Sequence, residues 1–230
     1  MSPILVSLEG NIGSGKSTIL AAISKRMDAA IDGARVTVLQ EPVDRWSSTG
    51  MLQAYYNDPK RNGFAFQMFV MLSRVEQWQK LRSKGGGVAA AAVLSERCIA
   101  SDFELFGQPM RNAGIIDDVQ WTTYSAWTEH IRSNCDGAEA AAVIYLRVSP
   151  EVSIRRITTR GRPGEEAIDG AYIEMLHAAH EQWIARLQRD GARILTLDGD
   201  KDGEAAVQEH VDAIASFIEG AFQKSSDKTA

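Results

Sequence analysis

"ILVSLEGNIGSGKST", residues 4–18, sets the architecture of this chain. Ile4 to Glu9 is a short apolar run of strand length. Gly10-Asn11-Ile12-Gly13-Ser14-Gly15-Lys16-Ser17 then matches G-x-x-x-x-G-K-[S/T] in full, with Thr18 next. Ile19, Leu20, Ile23 and Met27 continue at helical spacing. A strand, a glycine-rich turn and a helix in that order aim backbone N–H groups and the positive end of a helix dipole at phosphate oxygens. Lys16 is expected on the β/γ-phosphates and the Ser17 hydroxyl on Mg²⁺. A chance glycine-rich turn would not need the strand before it and the helix after it. The loop alone leaves open whether the phosphate is transferred, hydrolysed or sensed.

Outward from this loop, strand and helix alternate. Strands are predicted at 4–9, 35–40, 89–96, 141–148 and 193–198. The third is assigned despite its alanines, from Val93 and Leu94 between a turn and a polar cluster. Helices are predicted from Lys16 to about Ala30, around 50–56 within a polar loop 44–63, and over 63–84, 100–112, 116–133, 150–159, 171–189 and 203–222. Gly85-Gly86-Gly87 closes the long helix 63–84. The pattern argues for a parallel sheet with helices on both faces. One domain over 1–222 and a flexible polar tail, 223–230, are expected.

Composition narrows the function. A net charge of −5 and a pI near 5.5 disfavour non-specific nucleic-acid binding. Cys98 and Cys135 are too few for a disulfide scaffold or a metal cluster. No apolar run nears the roughly 20 residues of a membrane span, and Ile4–Leu8 is too short for a leader's apolar core. A cytoplasmic protein with no membrane or nucleic-acid partner is the expectation.

In an open α/β sheet, ligands bind beyond the carboxyl ends of the strands. The phosphate loop, "EPVDRW" from Glu41, "ERC" with Glu96 and Arg97, and "DGDKDG" with Asp202 are all expected to edge one cleft. Glu41 suits a base that takes a proton from an attacking hydroxyl; otherwise it is a surface residue ending a strand. Glu96 suits a Mg²⁺ ligand and Arg97 an orienting or charge-stabilising group; otherwise the two form a structural ion pair. Arg155, Arg156, Arg160 and Arg162 invert the acidic character locally, and some of them suit a clamp over transferring phosphates; otherwise they form a solvated basic face, the usual fate of a charge run. Gln67 and Arg74 share the apolar face of helix 63–84, where buried polar groups need partners such as a nucleobase.

These motifs, with "FAFQMFVMLSR", "ERCIASDFELF", "IYLRVSPEVSIRRITTRGR" and "YIEMLHAAHEQW", resemble the deoxyribonucleoside kinase family over about residues 4–200. The resemblance implies a three-layer P-loop kinase fold: a five-stranded parallel sheet flanked by helices, with an Arg-rich lid at about 156–170. It implies a Mg²⁺-dependent enzyme that moves the γ-phosphoryl of ATP, or another NTP, to the 5′-hydroxyl of a deoxyribonucleoside. Glu41 matches the general base. Trp46, Phe66 and Phe106 match aromatics around the base, Gln67 its reader, and Tyr56 and Glu165 the contacts to the sugar 3′-hydroxyl. Arg156, Arg160 and Arg162 match the lid arginines, and Asp202 the lining of the donor adenine site. Arg74 and Asp102 match a pair typical of members preferring cytidine or purines over thymidine. Glu9, Asn11 and Ile12 form the loop edge expected to face the acceptor. A homodimer through helices 63–84 and 100–133 is implied. Cys98 and Gly164 depart from the family pattern, which usually has Ser and an acidic residue there. A nucleoside monophosphate kinase, such as thymidylate kinase, is the alternative. A GTPase-like switch is disfavoured because no N-K-x-D is present.

Overall fold

The computed structural model describes residues 3–27, 35–83, 90–135, 139–162 and 164–226. Strands β1 (Ile4–Glu9), β2 (Arg35–Leu39), β3 (Ala90–Glu96), β4 (Ala142–Arg147) and β5 (Ile194–Asp198) form one parallel sheet in the order β2-β3-β1-β4-β5. The helices are α1 (Lys16–Met27), α2 (Val43–Ser48), α3 (Met51–Asn57), α4 (Pro59–Ser83), α5 (Ile99–Ser101), α6 (Gln108–Asn112), α7 (Asp118–Asn134), α8 (Pro150–Arg160), α9 (Gly170–Arg189) and α10 (Glu204–Ser226).

The period-two alternation of β1 divides the core into layers. Val6 and Leu8 pack with Ile19, Leu20 and Ile23 of α1 and with Ile214 and Ile218 of α10. Leu5 faces the other way, toward Trp78 of α4 and Trp183 and Ile184 of α9. The result is the expected helix–sheet–helix sandwich. Ala92, Val93 and Leu94 of β3 are fully buried. Burial on both faces of an inner strand thus overrides the helix preference of alanine.

Three local readings change. The segment 44–63 holds α2, α3 and the start of α4 rather than one short helix. α4 begins at Pro59, since proline is suited to a first helical position. The stretch 100–112 is not one α-helix: a π-helical turn, Asp102–Gly107, separates α5 from α6. α10 runs through Ser226, past the predicted end of the last helix at 222. Gly85-Gly86-Gly87 and residues 227–230 lie outside the described residues.

β1 is the central strand, and the phosphate loop leaves its carboxyl end. The chain occupies one side of it with β2 and β3 and the other with β4 and β5. Such a switch point is where open sheets bind ligands.

Candidate active site

The loop is built as its glycines require. Gly13 has φ 78°, and a Cβ there would sit 2.6 Å from the Ser153 carbonyl oxygen of α8. α1 starts at Lys16, so the amides before its first turn have no acceptor within the helix. Lys16 Nζ donates to the carbonyls of Gly10 and Asn11, each at 3.0 Å, and lies 3.9 Å from Glu96 Oε1. Burial, then the nearby Arg97 charge, pull the Lys16 amine down to about 8, against the opposing effect of Glu96 and Glu41.

One cavity opens in front of this loop. Its walls include Ile12 through Thr18, Glu41, Trp46, Tyr56, Phe66, Gln67, Glu96, Arg97, Asp102, Phe106, Arg160, Arg162 and Glu165. Residues from eight separate stretches of chain therefore meet. Trp46 and Phe66 stand edge to face at 5.8 Å, and Trp46 Nε1 donates to Ser73 Oγ at 3.0 Å. Gln67 is buried, and its Oε1 has no hydrogen-bond partner among the described residues. An orphaned buried acceptor beside aromatic rings is a seat for a ligand donor.

Glu41 follows β2 and Glu96 ends β3, side by side in the sheet. Arg97 Nε lies 3.3 Å from Glu41 Oε1, and Arg74 Nη2 lies 3.2 Å from the same oxygen. Arg74 also donates to both carboxylate oxygens of Asp102, at 2.6 and 2.9 Å, and to the Glu96 carbonyl at 2.8 Å. Arg74 itself stands behind Asp102 rather than on the cavity wall. The π-helical turn carries both Asp102 and Phe106 into the cavity; such turns recur at functional sites. The Phe106 ring lies 4.7 Å under the Arg97 guanidinium.

Ser17 Oγ is 3.3 Å from both Glu96 carboxylate oxygens. Burial, then the neighbouring Glu41 carboxylate, hold Glu96 above the usual carboxylate range. Two close carboxylates beside a hydroxyl and a phosphate loop fit a hard divalent cation, which needs few protein oxygens when phosphates supply the rest.

The lid segment closes the far side. Glu165 is buried and accepts from Arg160 Nη2 at 2.7 Å and Arg162 Nη1 at 3.4 Å. Glu166, the neighbour, is exposed and turns back to the Gly164 amide.

Not every strand end borders this cavity. Asp202, after β5, lines a second one with Gly13, Ser14, Thr18 and Arg156, while Arg160 borders both. Arg156 Nη2 and Arg155 Nη2 donate to Asp202 at 2.6 and 2.8 Å. The reason is the sheet order, which puts β5 on the opposite side of β1 from β2 and β3. Glu9 and Asn11 also depart from expectation. Both are buried off the cavity wall, and Asn11 Nδ2 donates to the Ile173 carbonyl at 2.9 Å. Only Ile12 of that edge lines the cavity.

Tyr55 and Tyr172 complete the wall, with hydroxyls 3.2 Å apart. The sequence reading picked the neighbouring Tyr56 and passed over Tyr55. Nothing in the helical pattern of α9 singled out Tyr172.

A parallel sheet with a phosphate loop at its switch point, facing a carboxylate across an aromatic cavity, defines a P-loop phosphotransferase. The chain belongs to the deoxynucleoside kinase family: the family model "Deoxynucleoside kinase" matches residues 6–219. It is 31% identical to deoxycytidine kinase 1 of Xenopus laevis, covering 86% of this chain and 82% of the relative. It is 30% identical to the probable deoxycytidine kinase of fowlpox virus (strain NVSL), over 86% of this chain and 79% of the relative. Human mitochondrial thymidine kinase 2 is 29% identical, over 89% of this chain and 74% of the relative.

Proposed function

We propose that this kinase transfers the γ-phosphoryl group of ATP, or of another NTP, to the 5′-hydroxyl of a deoxyribonucleoside. Deoxycytidine and purine deoxynucleosides are preferred to thymidine. The observation that carries the reading is the meeting of the phosphate loop, Glu41 and the unpaired Gln67 acceptor on one cavity.

Glu41 receives the hydroxyl proton. Both arginines engage its Oε1, so Oε2 is the oxygen left to face the acceptor. Gln67 reads the base edge between Trp46, Phe66 and Phe106, and Tyr56 and Glu165 hold the sugar. Lys16, Arg97, Arg160 and Arg162 neutralise charge that builds on the phosphoryl oxygens. Ser17 and Glu96 would hold Mg²⁺, which supplies further charge neutralisation on the donor phosphates. Gly10 to Thr18, Arg156, Arg160 and Asp202 would bind the donor.

Asp102 and Arg74 set the base preference: a buried charged pair occupies space that a thymine methyl would need, and desolvating it against a methyl is costly. A homodimer is part of this reading, supported by the exposed Leu72 of α4 and Val119 and Trp127 of α7. The free thiols Cys98 and Cys135 support a cytosolic setting.

The test supplies ATP and Mg²⁺ with each of the four deoxynucleosides and, separately, with their monophosphates. Monophosphates are expected as products, with kcat/KM for deoxycytidine or a purine deoxynucleoside at least about tenfold above thymidine. Turnover of the monophosphates alone would assign a nucleoside monophosphate kinase instead.

A further inference from the structure

Glu9 closes β1 directly beneath the phosphate loop, fully buried and off the wall of the acceptor cavity. Nothing in phosphate binding uses it. A carboxylate so placed is unfavourable unless a cation answers it. Ser7 Oγ donates to Glu9 Oε1. Among the described residues Oε2 has no hydrogen-bond partner; it lies 3.8 Å from Arg97 Nη1, which likewise has none.

The rest of Arg97 is already committed. Its Nη2 donates to the Gly10 carbonyl at 2.9 Å, and its Nε lies 3.3 Å from Glu41 Oε1. Its amide donates to the Leu8 carbonyl at 3.1 Å. Its backbone has φ 64°, which a long side chain rarely adopts. A residue in that conformation stays there only if its surroundings hold it. Among the described residues, Glu9 is the one carboxylate paired with Nη1. It also begins a buried alternation of charge that runs Glu9, Arg97, Glu41, Arg74, Asp102.

We propose that Glu9 is a positioning residue, whose carboxylate fixes the Arg97 guanidinium from behind so that its Nε meets Glu41. The inference rests on the kinase reading above, since it assigns Arg97 and Glu41 their setting.

The test is a double-mutant cycle on kcat, with Glu9→Gln in the parent enzyme and in an Arg97→Ala background. Glu9→Gln keeps the shape and removes the charge. In the parent it is expected to lower kcat at least about tenfold, with deoxynucleoside KM within about threefold. In the Arg97→Ala background its effect should shrink below about twofold. Glu9→Asp, which keeps the charge, should recover at least about threefold of the lost kcat. Equal losses in the two backgrounds overturn the proposal, because Glu9 then acts without Arg97; so does an unchanged kcat in the parent. If Glu9→Gln does not fold, Ser7→Ala, which frees Oε1, takes its place in the same two backgrounds. It should lower kcat only where Arg97 is present, and equal losses again overturn the idea. An active parent with an additive cycle removes the Glu9 inference alone. A parent inactive on every deoxynucleoside removes the kinase reading and this inference with it.

Discussion

Arg97 Nε and Glu41 Oε1 are 3.3 Å apart, and Arg97 reaches that position from a left-handed backbone, the only such non-glycine residue among those described. Arg74 approaches the same carboxylate oxygen at 3.2 Å. Two cations on one oxygen fix the rotation of the carboxylate and leave the other oxygen for chemistry. Removing the charge while keeping the shape isolates that role. Glu41→Gln should lower kcat by at least about 10², with deoxynucleoside affinity changed less than about fivefold. Rapid-quench rates and equilibrium binding separate the two, and a parent-like kcat would take the proton-acceptor role away from Glu41.

The Arg74–Asp102 pair does two jobs at once. Its Asp102 lines the cavity, while its Arg74 also braces Glu41. Replacing both partners, Arg74→Met with Asp102→Ala, avoids leaving one buried charge alone. The double variant should turn over every deoxynucleoside more slowly, because Glu41 loses a cation. Among the slower rates, the thymidine to deoxycytidine ratio of kcat/KM should rise at least about tenfold. A uniform fall with a constant ratio would leave the pair a bracing role and no part in base choice.

Much of this was legible in residue order. The phosphate loop carries its own signature, and apolar runs such as "AAVIYLRV" (141–148) announce buried parallel strands. Glu41, Glu96 and Arg97 followed from the rule that strand ends carry ligands. The misses have one physical source: contacts made across the chain leave no local period. Sheet order, which sends Asp202 to a different cavity from Glu41, comes from pairing between distant strands. The burial of Glu9 depends on what lies over the loop. The π-helical turn at Asp102 has no periodic mark in so short a segment, and Tyr172 resembles any aromatic in a first helical turn.

Gly164 opens the turn that carries Glu165, and the structure gives that residue a task. It has φ 93°, and a Cβ there would lie 2.8 Å from Gln53 Oε1 and 3.4 Å from Tyr56 Cδ2. The missing side chain lets the turn that carries Glu165 rest against α3. Gly164→Ala adds the strain of a side chain at positive φ, roughly 1–2 kcal/mol. Spent on closing the lid over the sugar, that is about a 5- to 30-fold rise in deoxynucleoside KM. Donor KM should move less than about twofold, since Gly164 lies off the second cavity. Steady-state kinetics with each substrate varied in turn decide it; a deoxynucleoside KM within twofold of the parent would remove Gly164 from lid closure.

His180 makes stability depend on pH. It is fully buried in α9, stacked on Tyr145 at 5.9 Å, with Nδ1 2.6 Å from the Leu176 carbonyl and Nε2 without a partner among the described residues. Burial, then the Arg97 charge, pull the imidazole down to about 3. In the unfolded chain it titrates near 6.5. Between those two values the unfolded state binds a proton that the folded state refuses. The contribution of His180 is therefore whole above about pH 6.5 and is lost as pH falls, at about 1.4 kcal/mol per pH unit. His180→Gln keeps a neutral donor and cannot take up that proton. Urea denaturation at pH 7.5, 6.5 and 5.5 should give the parent a steeper loss than the variant, by close to one proton at the acid end. Parallel stability curves for the two proteins would mean that His180 is protonated in the fold or titrates there as it does in the open chain.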